Sequence, residues 1–330
     1  MGGPPSAVAD VRVAVRRELA DLRRGELVVV ACSGGPDSLA LAAATAFEAS
    51  RLSLRAGLLT VDHGLQPGSA ARAEAVRDWA VHIGLVPAEV LTVHVGTSGG
   101  PEAAAREARY GALDAAADRL GAAAVLLGHT RDDQAETVLL AMARGSGARA
   151  LAGMPARRGR YRRPLLGLPR ATAAAACSAE ALPVWCDPHN GDPAYARSRV
   201  RALLPALEEA AGPGTVAGLA RTAGRIRADA DLLDSLAADV LLTVLAADGT
   251  LDAVALAAAP APLRTRVLHA WARELGARPG ALASVHVDAL DALVTAWSGQ
   301  GPVHLPGDVL VERREGRLTR RDATHGNLWT

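Results

Sequence analysis

The sequence contains no lysine: all 36 basic residues are arginine. That excludes a lysine Schiff base, a lysine general base and a Walker A loop, whose terminal Lys grips the phosphates. Cysteine is scarce. Cys32, Cys177 and Cys186 are odd in number and lack CxxC spacing, which argues against a disulfide scaffold, a structural zinc site or an iron–sulfur cluster. Aromatic residues are few, with one Phe, three Tyr and five Trp, so any core must rest on Ala, Leu and Val. Net charge is only +1, and no global basic field announces a nucleic-acid partner. No apolar run reaches membrane-spanning length without a charge, and the opening MGGPPSAVAD has no apolar centre of a secretion signal. The expectation is a reduced, cytoplasmic compartment and no membrane partner.

What the chain does have is alternation. Apolar runs at 26–32, 54–62, 90–95 and 122–129 are separated by Ala-rich helical patterns near 37–50, 69–84, 102–120 and 132–143. Continuous apolar, β-branched runs suit strands of a parallel sheet buried on both faces. A fifth strand is predicted at 162–166 and a helix over 172–182. The fold class that follows is α/β, a doubly wound and mainly parallel sheet. A Gly/Pro break near Pro213 sets the domains at 1–212 and 213–330. The second reads as mostly helical with a C-terminal β-hairpin at VHLPGDVLVERREGRLTRR, in a binding or structural role.

Polar residues collect where the predicted strands end: Ser33 to Ser38, Asp62 with His63, and His129 to Glu136. Ligands of such folds sit at that rim. In SGGPDS the two glycines let a ligand approach the backbone, N–H groups face outward at the helix start, and Ser33 and Ser38 add hydroxyls. Asp37 is the odd member. A carboxylate beside phosphate needs a divalent cation between them, so Mg2+ at Asp37 is expected. A serine-hydrolase elbow matches only in part, and a solvated N-capped turn leaves the other two clusters unexplained.

In HTRDDQAE, His129, Asp132, Asp133 and Glu136 are spaced to share one helical face, suited to Mg2+ or an ammonium. An acidic first turn offsetting the helix dipole is the plainer alternative. Glu102, Arg106 and Arg109 likewise share a face that could offer guanidinium groups to phosphate, or form a solvated Glu–Arg pair. The glycine-rich segment 144–163 carries Arg157, Arg158 and Arg160 in what reads as a flexible loop beside the rim, fit for a phosphate backbone or simply solvated.

SGGPDS resembles the PP-loop of the ATP pyrophosphatase superfamily. Together with VDHGLQPGSAARAEAV, EAAAREARY, GHTRDDQAETVLL, RPLL and DPHNGDPAYARSRVR, it resembles the tRNA(Ile)-lysidine synthases, in that family's order. The ending VHLPGDVLVERREGRL is similar to that family's C-terminal domain. The resemblance implies ATP-dependent ligation of L-lysine onto cytidine 34 of the CAU-anticodon tRNA(Ile), through an adenylated cytidine. It implies an ATP pocket of Ser33, Gly34, Gly35, Pro36, Asp37 and Ser38 with Asp62, His63 and His129. Asp62 equally suits a loop carboxylate capping the next helix, and His63 a turn. The reacting centre would hold Asp37, Arg106, Arg109, Asp132 and Asp133, without a choice between the two arginines. Lysine would meet Asp132, Asp133 and Glu136, and Arg157, Arg158, Arg160, Arg197 and Arg201 would contact the tRNA. Asn190, Arg197 and Arg201 match the family pattern, whereas Ser198 stands where the relatives commonly have Asn. A tRNA thiolation enzyme of the same superfamily would need a catalytic Cys pair or cluster, which these three cysteines do not suit. Oligomeric state is left open, a homodimer included.

Overall fold

The computed structural model describes residues 3–64, 67–94, 96, 101–185, 192, 194–278 and 280–321, with the side chains of 101–103 left out. The chain divides into two compact units, residues 1–227 and 228–330.

The first unit is built on a six-stranded sheet in the order β3-β2-β1-β4-β6-β5. Its strands are β1 (Leu27–Ala31), β2 (Arg55–Asp62), β3 (Ala88–Thr92), β4 (Ala122–Leu127), β5 (Arg157–Arg158) and β6 (Tyr161–Arg162). All neighbours pair in parallel except β5 with β6. The period-2 geometry of β1 explains its unbroken apolar run. Val28 and Val30 enter one core with helices α1 (Ser6–Leu19), α2 (Pro36–Leu52) and α7 (Arg170–Ala179). Leu27 and Val29 enter another with α4 (Pro101–Leu120). Burial on both faces leaves no place for a polar residue within the strand.

Helix α3 (Ser69–His82) bridges β2 and β3, and α5 (Arg131–Ala143) follows β4. The chain therefore winds outward from β1 to β3, then returns to lay β4 on the other side of β1. The carboxyl ends of β1 and β4 form the switch point where a crevice opens. Gly128 makes that crevice tight: a Cβ there would lie 3.1 Å from the Asp37 carbonyl carbon and oxygen and from Ser38 Cα.

Three expectations need correction. Residues 162–166 do not continue as a strand. Pro164 removes the ladder donor, and 164–167 form a 3-10 turn after the two-residue β6. The 144–163 segment is no flexible loop either: it contains the short helix α6 (Ala148–Leu151) and the β5–β6 hairpin. The unit boundary lies inside the 30-residue α9 (Thr215–Val244), not at Pro213. The start of α9 belongs to the first unit because Val216 and Leu219 pack with Leu204 of α8 (Ala196–Ala211) and with Ala135 and Leu139 of α5. Arg227 also donates to the Ala152 carbonyl at 2.7 Å.

The second unit holds α10 (Ala253–Ala257), α11 (Ala261–Glu274) and α12 (Ser284–Thr295) with a four-stranded antiparallel sheet. Its strands β7 (Leu251–Asp252), β8 (Val303–Leu305), β9 (Val309–Arg314) and β10 (Arg317–Arg320) run in the order β7-β10-β9-β8. The expected hairpin is β9–β10, flanked by two further strands. The helices bury Trp271, Leu268, Leu290 and Leu293 against Val311 and Leu318 of that sheet.

Candidate active site

The loop after β1 is shaped from within. Gly34 sits at φ +82°, a left-handed conformation that a side chain resists. Ser38 Oγ accepts from the Ser33 amide at 3.2 Å and donates to the Gly35 carbonyl at 2.9 Å, closing the turn on itself. Pro36 then opens α2 as its first residue, and no side chain caps the helix. Its leading amides are thereby left to a ligand. This loop, the end of β2 and the start of α5 wall a cleft of about 440 Å³. Ser33, Gly35, Pro36, Asp37, Ser38, Asp62, His63, Arg109, His129, Asp133 and Arg201 all line it. Gly34 lies in an adjoining apolar recess with Leu39, Val76, Trp79 and Trp185.

Asp37 is the exposed nerve of the cleft. Its Oδ1 is buried without a hydrogen-bond partner. Burial, and then the charges of Asp133 and Asp132, push its carboxyl up to about 6 against the pull of Arg170 and Arg201. Its Oδ2 lies 3.6 Å from Arg170 Nε.

The acidic helix start is organised differently from the sequence expectation. His129 and Thr130 precede α5, and Thr130 is its N-cap. Asp133 closes the capping box, its Oδ2 accepting from the Thr130 amide at 2.7 Å and hydroxyl at 2.9 Å. Arg170 Nη2 donates to Asp133 Oδ1 at 2.8 Å and to Glu136 Oε1 at 3.0 Å. Arg201 Nε donates to the same Glu136 oxygen at 2.8 Å. Arg197 stands 3.7 Å from the other oxygen. Asp132 accepts from the Arg170 amide at 2.8 Å. So the three carboxylates are not free: each has an arginine partner, and Glu136 is fully buried among three. Burial pushes Asp133 up, but Arg170 and the Thr130 bonds outweigh it and hold the group below its ordinary value.

His129 is driven the other way. Burial, with Arg163, Arg109 and Arg106 adding to it and Asp133 opposing, pushes its imidazole down to about 3. It is neutral, with Nδ1 unpartnered. His63 is also pushed down, first by burial and then by Arg109, and its Nδ1 is likewise unpartnered. Asp62 accepts from the Gly64 amide at 2.9 Å and lines the cleft; it does not cap α3, whose N-cap is Gly68 with no side-chain cap.

The predicted tRNA arginines are dispersed. Arg197 and Arg201 belong to the Glu136 cluster. Arg157 faces Glu18 and Asp21, and Arg160 faces Asp118 at 2.5 Å, both as ion pairs on the protein surface. Arg158 is exposed and has no ion-pair partner among the described residues. Asn190 and Cys186 lie outside the described residues, as does the Glu102 side chain. Cys32 and Cys177 are buried thiols, the first pushed up by burial and the second likewise to about 11, so neither is a ready thiolate.

Two participants were not foreseen. Arg170 links Asp37, Asp133 and Glu136, yet it follows Pro169 at the start of a helix with no motif around it. Only the surplus of carboxylates in a lysine-free chain hints that some arginine must serve there. Trp185 donates its amide to the Gly34 carbonyl at 3.0 Å and carries Arg72 4.0 Å above its ring. It thus straps a distant segment onto the loop.

Residues 10–207 match the PP-loop domain family, and residues 251–319 match the TilS substrate binding domain. The chain is 60% identical over 325 residues to the tRNA(Ile)-lysidine synthase of Salinispora tropica, covering 97% of each chain. It is 57% identical to that of Thermobifida fusca, covering 96% of this chain and 98% of the other. For that of Streptomyces coelicolor the figures are 54%, 97% and 99%. Among solved structures, the U34-tRNA thiolase NcsA from Methanococcus maripaludis with its 4Fe-4S cluster is similar at TM-score 0.55 and 20% identity. It covers 67% of this chain and 80% of that one, a likeness of fold. With a PP-loop at the switch point, a second matched domain and these identities along nearly its whole length, this chain belongs to the tRNA(Ile)-lysidine synthase family.

Proposed function

We propose that this chain ligates L-lysine onto cytidine 34 of the CAU-anticodon tRNA(Ile), consuming ATP and releasing AMP and pyrophosphate. The observation that carries this reading is the cleft itself. One wall offers uncapped helix amides and an unpartnered carboxylate oxygen, and the facing wall offers arginines and a cluster of paired carboxylates.

Two displacements suffice. The cytidine oxygen attacks the α-phosphorus of ATP, and the bond to pyrophosphate breaks. The lysine amine, having lost a proton, then attacks the activated ring carbon, and AMP leaves with the oxygen. The amides at the start of α2 and the Ser33 hydroxyl hold the departing phosphates. Arg109, on the cleft wall with Arg106 behind it, offsets charge that develops at the α-phosphate. His129 and His63 are neutral, so they serve the nucleoside as hydrogen-bond partners. Asp133, which lines the cleft, receives the lysine ammonium and must share it with Arg170 and Arg201, while the buried Glu136 holds those arginines in place. Asp132, tied to the Arg170 amide, supports that pair.

Mg2+ fits this site in one way. Among the described residues no group of three His, Cys, Asp or Glu converges to hold a metal alone. Asp37 Oδ1 has no protein partner, and one carboxylate together with substrate phosphates is a usual Mg2+ environment. Bound there, Mg2+ would neutralise charge on the phosphates.

The test is incubation with labelled lysine, ATP and a CAU-anticodon transcript. Label entering the tRNA, with AMP formed alongside, supports the reading. AMP formation that ignores lysine would sink it. The described residues contain no helix long and apolar enough to cross a membrane, and the partners proposed are tRNA(Ile) and lysine.

A further inference from the structure

Outside the carboxylate cluster, three guanidinium groups gather where no described carboxylate meets them. Tyr110 is the post they share. Its ring stands edge-on to Tyr161 at 5.0 Å between centroids, and Tyr161 is fixed by donating to Asp114 at 2.8 Å. Arg106 and Arg109 lie 4.9 and 5.5 Å from the Tyr110 centroid, and Arg106 donates weakly to its hydroxyl at 3.4 Å. Arg163 closes the group. It is only 5% exposed, and its Nη1 donates to the Pro155 carbonyl at 2.9 Å. Its Nε is buried with no hydrogen-bond partner.

A buried guanidinium without a counter-charge is costly, and a tyrosine ring returns only part of that cost. Burial, along with the charges of Arg106 and Arg158, pushes Arg163 below its ordinary value, while Tyr110 opposes them. Arg109 is pushed down by burial, with Arg106 and Arg197 adding to it. Arg162 and Arg264, both largely buried, meet Asp21 and Asp291. The three around Tyr110 meet no carboxylate among the described residues, and such a cluster calls for an anion from outside.

We propose that Arg106, Arg109 and Arg163, gathered around Tyr110, form a binding site for phosphate oxyanions, with Arg163 as its buried member. A single carboxylate would leave two of the charges uncompensated. A run of phosphates supplies one for each guanidinium, and Arg fits phosphate bidentately. The chemistry is met by the tRNA backbone beside the target nucleotide or by the polyphosphate of ATP. Arg109 lines the cleft while Arg106 is exposed, so the site runs from cleft to surface and favours the backbone. The inference rests on the proposed ligase reading for the identity of its ligands.

The experiment uses the full chain and Arg106→Gln, Arg163→Gln and Arg163→Lys. Affinity for the CAU transcript is measured across salt concentrations without lysine, alongside the KM for ATP and inhibition by inorganic pyrophosphate. Each Gln variant should lower the slope of log affinity against log salt by about 0.7 to 1 unit, the loss of one phosphate contact. Arg163→Lys should restore most of that slope, and Arg163→Gln should leave the KM for ATP within about twofold of the parent, since Arg163 does not line the nucleotide cleft. An unchanged slope with a raised KM for ATP and weaker pyrophosphate inhibition still supports the phosphate site and assigns it to the nucleotide. Parental slope, ATP KM and pyrophosphate inhibition in Arg106→Gln and Arg163→Gln alike would overturn it. So would a rise in lysine KM alone. Arg106 is exposed, so its variant reports even if Arg163→Gln misfolds. A parent that binds tRNA but fails to incorporate lysine would refute the ligase reading and leave this site still testable.

Discussion

Two groups of arginines meet different fates, although Arg163 of one directly follows Arg162 of the other in sequence. On the β5–β6 hairpin, Arg157 and Arg162 share Asp21, and Arg160 takes Asp118. Around Tyr110, Arg106, Arg109 and Arg163 have no described carboxylate, and the last two are pushed below their ordinary values by burial. Arginine density along the chain therefore says little about availability. The neighbouring carboxylates decide it, and they come from α1, the turn after it and α4, far from the hairpin in sequence. The same contrast runs through the rim itself. Glu136 is saturated by three arginines and holds the architecture, whereas Asp37 keeps an unpartnered oxygen.

That contrast can be broken at four places. Glu136→Gln should have the largest effect on stability. Removing one side of a buried ion pair strands the other, and a loss of about 3–5 kcal/mol is expected by denaturant unfolding. A loss under 1 kcal/mol would mean the cluster is wetter than its burial indicates. Asp37→Asn should act in the opposite sense. Turnover should fall by about 10²- to 10³-fold, as for loss of a key electrostatic group, with tRNA affinity near parental. Its melting temperature should hold or rise, because the neutral side chain no longer repels Asp133 and Asp132. Parental turnover would remove Asp37 from the chemistry.

Subtler is the hairpin. Arg158→Ala should weaken tRNA binding and lower its salt slope by about one unit, since this arginine is exposed and has no ion-pair partner among the described residues. Arg157→Ala and Arg160→Ala should change the slope less, because each already faces a protein carboxylate. Equal effects from all three would erase the distinction. Smallest of all should be the stability cost of Arg160→Ala. Its exposed pair with Asp118 is worth about 0–1 kcal/mol and should fade in high salt.

Local signals carried much of this into the sequence. The run Leu27 to Val30 could only be a doubly buried strand, and a loop of Ser33 to Ser38 at its exit pointed to phosphate. The helix with Asp132, Asp133 and Glu136 was equally plain. What escaped depended on distant pairing. Residues 162–166 end in two leucines that suit a strand, but Pro164 ends the ladder after Arg162. Strand β7 exists because Leu251 pairs with Leu318, a partner 67 positions away in numbering. Arg170 has no motif of its own and gains its meaning from Asp37, Asp133 and Glu136. Helix α1 and the turn after it carry no motif, yet they supply Glu18 and Asp21, which take Arg157 out of play.

The most direct measurement is pyrophosphate release by the purified chain with ATP, lysine and two transcripts that differ only in the first anticodon base, C or U. The account predicts one pyrophosphate for each lysine incorporated with the C34 transcript, and neither product with U34. Equal pyrophosphate release from both, or release without incorporated lysine, would contradict it.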